Sequence, residues 1–213
     1  SSNTYGYIAD TGPTQAYGSN SGVFDPADIN DLIAENKWSG VGTLELIDTQ
    51  DISSVSAVDF LNIKEDIYNV HLLTVNDLHL TSDYVLSQVR FSNDGGSSFF
   101  ASGYNYARQR GQADGTFAED NSTSWDGVSF ISHTGNATNE SANGYMYLYN
   151  LGDSTKYSFA TMQSVNQNSS NVSTMDFGGG VYPVANTINA IRLYPYSSTF
   201  DSAVVSLYGI RYS

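Results

Sequence analysis

Glu119, Asp120 and Asp126 lie in or just beyond the polar stretch 108–124 and are the first residues that could do chemistry. A glycosidase needs two carboxylates about 5 to 9 Å apart across a sugar. Adjacent acids in a Ser- and Asn-rich stretch are ordinarily solvated, and 22 acidic residues guarantee chance neighbours. His71 and His79 are separated by about 26 Å if they share one strand. If Asn76 and Asp77 formed a turn, His79 would face Thr74 instead, and neither geometry chelates a metal. Segments 92–97 and 114–126 offer oxygen ligands for calcium but lack the alternation of an EF-hand loop, so turn chemistry explains them better. Serine chemistry finds no G-x-S-x-G, since Gly95-Gly96-Ser97 lacks the second glycine. Gly178-Gly179-Gly180 has no following lysine to hold a phosphate and reads as a flexible loop. No catalytic residue, metal ligand or cofactor is assigned.

The tyrosines are the unusual feature. Tyr145, Tyr147 and Tyr149 alternate with Met146 and Leu148, which puts the three rings on one face of a strand. That face serves either as a platform for a sugar or another subunit, or as the second buried side of a central strand. Tyr5, Tyr7 and Tyr17 are, with Ile8, the large groups of a Gly-punctuated opening segment that has neither helical nor strand period. An ordered arm with such groups is a candidate for contact with its own or a neighbouring subunit.

The elements that must position these residues are mostly strands. One helix is expected over 26–37: Asp25 suits the N-cap and Pro26 the first helical position, and Ile29, Leu32 and Ile33 form a narrow stripe to lay on a sheet. After Gly42 the pattern changes to about ten short alternating runs separated by turn residues, such as 93–96. Segments 108–124 and 134–143 read as polar surface loops. The expected fold is all-β, a jelly-roll-like β-sandwich over 43–213, preceded by an extended arm and short α-helix over 1–42.

Composition narrows the function. The 213 residues carry 8 Lys+Arg against 22 Asp+Glu, a net charge of −14, and no cysteine. Such acidity repels phosphate backbones, so nucleic acid is not an expected partner. No apolar run reaches membrane-spanning length and no signal-like segment opens the chain. The start at Ser1-Ser2-Asn3 fits a cytoplasmically made product that has lost its initiator methionine. With 30 Ser, 16 Thr and 19 Asn, the five N-x-S/T sequons at Asn121, Asn136, Asn139, Asn168 and Asn171 are what chance provides.

Four segments carry a resemblance: FSNDGG at 91–96, GYMYLYN at 144–150, NAIRL at 189–193 and SLYGI at 206–210. In this order they resemble a family of tailed-phage virion proteins, many from marine phages. The C-terminal half of that family carries G-Y-L-Y-L-F-like, I-N-A-I-R/Q-F-like and K-L-Y-G-I-like strands. The similarity runs in pattern over most of 43–211 and is sharpest after 144. It implies a β-sandwich structural protein on the particle exterior, in a head decoration, knob, fibre or tail-associated role. It transfers no active-site residue and does not extend to the arm and helix. The implied partners are other copies of the chain, major capsid or tail proteins and, in a receptor role, a host surface glycan. A homo-oligomeric, non-enzymatic virion protein is the leading expectation, a carbohydrate-binding tail-fibre module the second, and a polysaccharide-degrading hydrolase the third.

Overall fold

A computed structural model describes residues 26–34 and 44–210. By their contacts, residues divide into two units, 1–43 and 44–213. In the first, α1 (Pro26–Ala34) begins on Pro26, whose missing N–H costs nothing in the first turn. Leu32 of the expected stripe is buried, whereas Ile33 is exposed. Residues 35–37 of the expected helix, and the arm with Tyr5, Tyr7 and Tyr17, lie outside the described residues.

The second unit is a sandwich of two antiparallel sheets. Its strands are β1 (Leu44–Val55), β2 (Val58–Phe60), β3 (Val70–Leu80), β4 (Val85–Ser92), β5 (Tyr104–Gln112) and β6 (Phe117–Trp125). They continue with β7 (Val128–Thr134), β8 (Ala142–Tyr149), β9 (Ser158–Gln167), β10 (Ser173–Tyr182), β11 (Ala190–Pro195) and β12 (Phe200–Ile210). One sheet runs β1-β12-β3-β8-β9-β10-β5-β6 and the other β2-β11-β4-β7. Setting aside the hairpins β5–β6 and β9–β10 leaves two four-stranded sheets, β1-β12-β3-β8 and β2-β11-β4-β7. Successive strands pass between them in the order of a jelly roll. Both hairpins add to the same sheet, so one layer is twice as wide as the other.

The core forms where inward positions of the two layers meet. Strand β9 alternates regularly between buried and exposed, as expected when one face packs and the other does not. Leu73, Val75, Met146, Leu148, Val205 and Leu207 of the wide sheet pack with Val89, Phe91, Phe130, Ile191 and Leu193 of the narrow one. Each such side chain contributes about 1.5–3 kcal/mol by leaving water. Tyr104 is fully buried, and its hydroxyl oxygen accepts from the Phe91 backbone N–H at 2.8 Å. The edge strands of the wide sheet are acidic: β1 carries Glu45, Asp48 and Asp51, and β6 carries Glu119 and Asp120.

Two expectations are corrected. Segment 108–124 is not a loop: it belongs to the β5–β6 hairpin, whose inward side chains Tyr106, Arg108 and Asp120 hydrogen-bond one another. Gly178-Gly179-Gly180 lies inside β10, where the missing side chains let neighbouring strands approach closely. A Cβ on Gly178 would run into the Ala107 carbonyl, and one on Gly179 would sit 2.5 Å from the Ala160 oxygen. Expected turn 93–96 is present, with Gly95 and Gly96 at positive φ and the Asp94 carboxylate accepting from Ser92 and Ser98. It connects strands of different sheets and is no hairpin.

Candidate interaction surface

The wide sheet places Tyr145, Tyr147 and Tyr149 on its outer face, with Met146 and Leu148 buried in the core. Tyr145 is 41% exposed, and the other two are half-buried. The rings run in series along β8, with Tyr145 edge-on to Tyr147 at 5.9 Å and Tyr147 stacked on Tyr149 at 6.4 Å. Each outer tyrosine is held from β9: the Tyr145 hydroxyl donates to Gln163 Oε1 at 2.9 Å, and Tyr149 shares a 3.1 Å hydrogen bond with Thr161 Oγ1.

Strand register extends this stripe across the sheet. The row through Tyr147 reads Leu46, Tyr208, Leu72, Tyr147, Thr161, Gly179, Ala107 and Asn121. The row through Tyr149 reads Leu44, Ile210, Val70, Tyr149, Phe159, Val181 and Asn105. The row through Tyr145 runs from Thr49 through Gln163 and Phe177 to Gln109 before it meets a charge, Glu119 on the edge strand. A chain of net charge −14 thus keeps two cross-strand rows free of charge and a third free as far as its edge strand. Leu46, Phe159, Val165, Met175 and Phe177 are exposed there. At about 4.8 Å per strand and 3.3 Å per residue, this face covers on the order of 800 Å2. A shallow groove of about 330 Å3 opens on it beside Tyr145, with Gly144 at its floor and Asn76, Asn143, Gln163 and Val165 around it.

A second, unrelated cluster lies on the inner face of β10, β5 and β6 of the wide sheet, against β7, an edge of the narrow one. Arg108 is buried, and its Nη1 donates to Asp176 Oδ1 at 3.0 Å. Its Nε and Nη2 donate to Asp120 Oδ2 at 3.1 and 2.7 Å. Asp176 is fully buried and accepts from Ser132 Oγ at 2.7 Å, and the Tyr106 hydroxyl donates to Asp120 at 3.1 Å. Burial pushes the Asp176 carboxyl up, and the facing Arg108 guanidinium opposes that shift. Every fork of Arg108 is therefore engaged, as a buried cation requires.

Arg110 points from the same face of β5 and is differently placed. Its Nη1 lies 2.7 and 2.8 Å from the two ring nitrogens of His133. Arginine only donates, so His133 supplies a lone pair and is neutral. Burial, then the Arg110 and Arg108 charges, pull His133 down to about 4. His133 sits at a φ of 58° within an irregular stretch of β4–β7 pairing, and Tyr84, at 62°, sets its ring edge-on to the imidazole at 5.2 Å. Irregular pairing of this kind re-aims side chains, and left-handed backbone in large residues is worth a functional question. Around these groups opens a pocket of about 300 Å3 lined by Arg108, Arg110, Ala118, Glu119, Asp120 and His133.

The candidate carboxylates do not converge. Glu119 and Asp120 are consecutive on β6 and so point to opposite faces, and Asp126 is tied to Arg90 at 2.5 Å. His71 and His79 both lie on β3. His71 is buried and its Nε2 donates to the Ile63 carbonyl at 2.7 Å, while His79 meets Asp77 at 3.3 Å. Among the described residues no three His, Asp or Glu side chains are grouped to hold a metal ion, and no helix is long and apolar enough to cross a membrane. No protein-family model, curated protein or solved structure matches this chain.

The sequence reading missed most of the outer face and all of the Arg110 pocket. Alternation in 158–165 carries a signal for Phe159, Thr161, Gln163 and Val165. Arg108 and Arg110 at spacing two carry another, once 108–124 is read as strands.

Proposed function

We propose that the chain is a non-enzymatic building block on the exterior of a tailed-phage particle, as a head decoration or knob protein or another surface component. It associates with copies of itself through the outer face of its wide sheet and docks on capsid or tail proteins through its N-terminal arm. The charge-free aromatic face carries this reading. Two copies at −14 approach most easily where neither presents charge, and burying Phe159, Phe177 and the tyrosines supplies the gain. The area, on the order of 800 Å2 per copy, equals what a standard stable interface takes from each partner. The phage setting rests on the resemblance of the segments that form β8, β11 and β12.

Sedimentation of the full chain tests the assembly. The protein should run as a homo-oligomer, and Tyr147→Arg, which puts a charge in the middle of the face, should run as a folded monomer. A wild-type protein that is monomeric at tens of micromolar, or a Tyr147→Arg variant that assembles normally, would refute it.

A second reading is a receptor module for a neutral host glycan. It is favoured by the groove beside Tyr145, where a ring and three side-chain amides meet without a charge. Neutral-oligosaccharide binding that Tyr145→Ala abolishes, with the oligomer intact, would select it.

A further inference from the structure

We propose that the pocket between the β5–β6 hairpin and β7 binds a sugar acid, that is, a ligand joining one carboxylate to neighbouring hydroxyls. It is separate from the outer face and does not depend on the assembly proposed above. Arg108 is already paired, since each of its three nitrogens donates to Asp120 or Asp176 and its side chain is buried. Arg110 is not: no carboxylate lies within ion-pair distance of it among the described residues, and the side-chain partner of its Nη1 is the neutral His133 ring. A half-buried guanidinium held only by a neutral ring keeps an uncompensated charge that an anion can meet. A carboxylate compensates that charge with a charge-assisted hydrogen bond, which a hydroxyl does not.

The remaining wall sets the rest of the ligand. Asp120 turns into the pocket and can only accept while ionised, so it suits a hydroxyl donor beside the carboxylate. Asp120, with Asp176 behind Arg108, disfavours a doubly charged anion such as sulfate. Room comes from Ala118, which stands directly across from Arg110 in the β5–β6 register. At about 300 Å3 the pocket is at the lower end of the range for small ligands and takes one sugar ring.

The test is titration of the full-length protein with D-glucuronate, followed by calorimetry and by the His133 ring resonances. Saturable binding in the millimolar range should shift the His133 signals. D-glucose, acetate and sulfate should each bind at least about tenfold more weakly, since each lacks one part of the match. Arg110→Ala should lose binding by about tenfold or more. Ala118→Leu, which fills the space while keeping every charge, should do the same with an unchanged melting temperature, so the result stands even if Arg110→Ala folds poorly. No saturation by about 20 mM glucuronate, equal affinity for glucose, acetate or sulfate, or unaltered binding in Ala118→Leu would each overturn the proposal.

Discussion

One buried and one half-buried histidine make this protein sensitive to acid in a particular direction. His133 titrates near 4 in the fold against 6.5 in an unfolded chain, and burial also lowers His71. Between those pH values the unfolded state binds more protons than the folded one, so stability falls as pH drops from about 6.5 towards 4 and then levels off for this group. For a half-buried ring, screened by solvent, the His133 share is on the order of 1–2 kcal/mol. His133→Asn, which tolerates the left-handed backbone, should flatten the slope of urea-unfolding stability between pH 6.5 and 4. A slope identical to wild type would show that the loss lies elsewhere. At this scale the sequence was informative about type and silent about environment. Tyr145, Tyr147 and Tyr149 were legible as a set because a strand sorts side chains by parity. His133 was not, because its direction depends on a local irregularity in the β4–β7 ladder that no spacing announces.

Strands explain what was legible in the fold and what was not. Alternating runs such as those in β8 and β9 bury one face, so their period survives in the sequence. The β5–β6 hairpin was hidden for the opposite reason. Arg108, Arg110 and Asp120 occupy inward positions that ordinarily hold apolar residues, and a buried ion pair reads like a loop. Strand β10 was hidden by its three glycines, which weaken a strand in isolation but let this one fit tightly between β9 and β5. Gly179→Val should therefore cost about 1–3 kcal/mol, because the added atoms meet the Ala160 carbonyl from which they cannot withdraw. Thr161→Val, its outward-facing register partner on β9, should stay within about 0.5 kcal/mol. Thermal melts of the two variants decide it, and equal losses would mean that the close approach is not a constraint.

At the scale of the molecule, net charge and surface pattern oppose each other. Copies at −14 repel at long range, while the aromatic face attracts only on contact. Salt shortens the repulsion to about 8 Å at 0.15 M and leaves burial largely intact. Assembly should therefore strengthen between about 0.02 and 0.3 M sodium chloride, read as a rise in sedimentation coefficient at fixed concentration. Dissociation over that range would mean that ion pairs, not the uncharged rows, hold the copies together.

The acidic rims of the wide sheet add a constraint of their own. Glu45, Asp48 and Asp51 line one rim and Glu119 and Asp120 the other. Rim meeting rim would bring like charges together just where backbone groups would need to pair. Sideways growth into an endless ribbon is thereby discouraged, and stacking broad side to broad side is left open. In the assembly proposed above, such rims favour clusters of finite copy number, even when many chains crowd together.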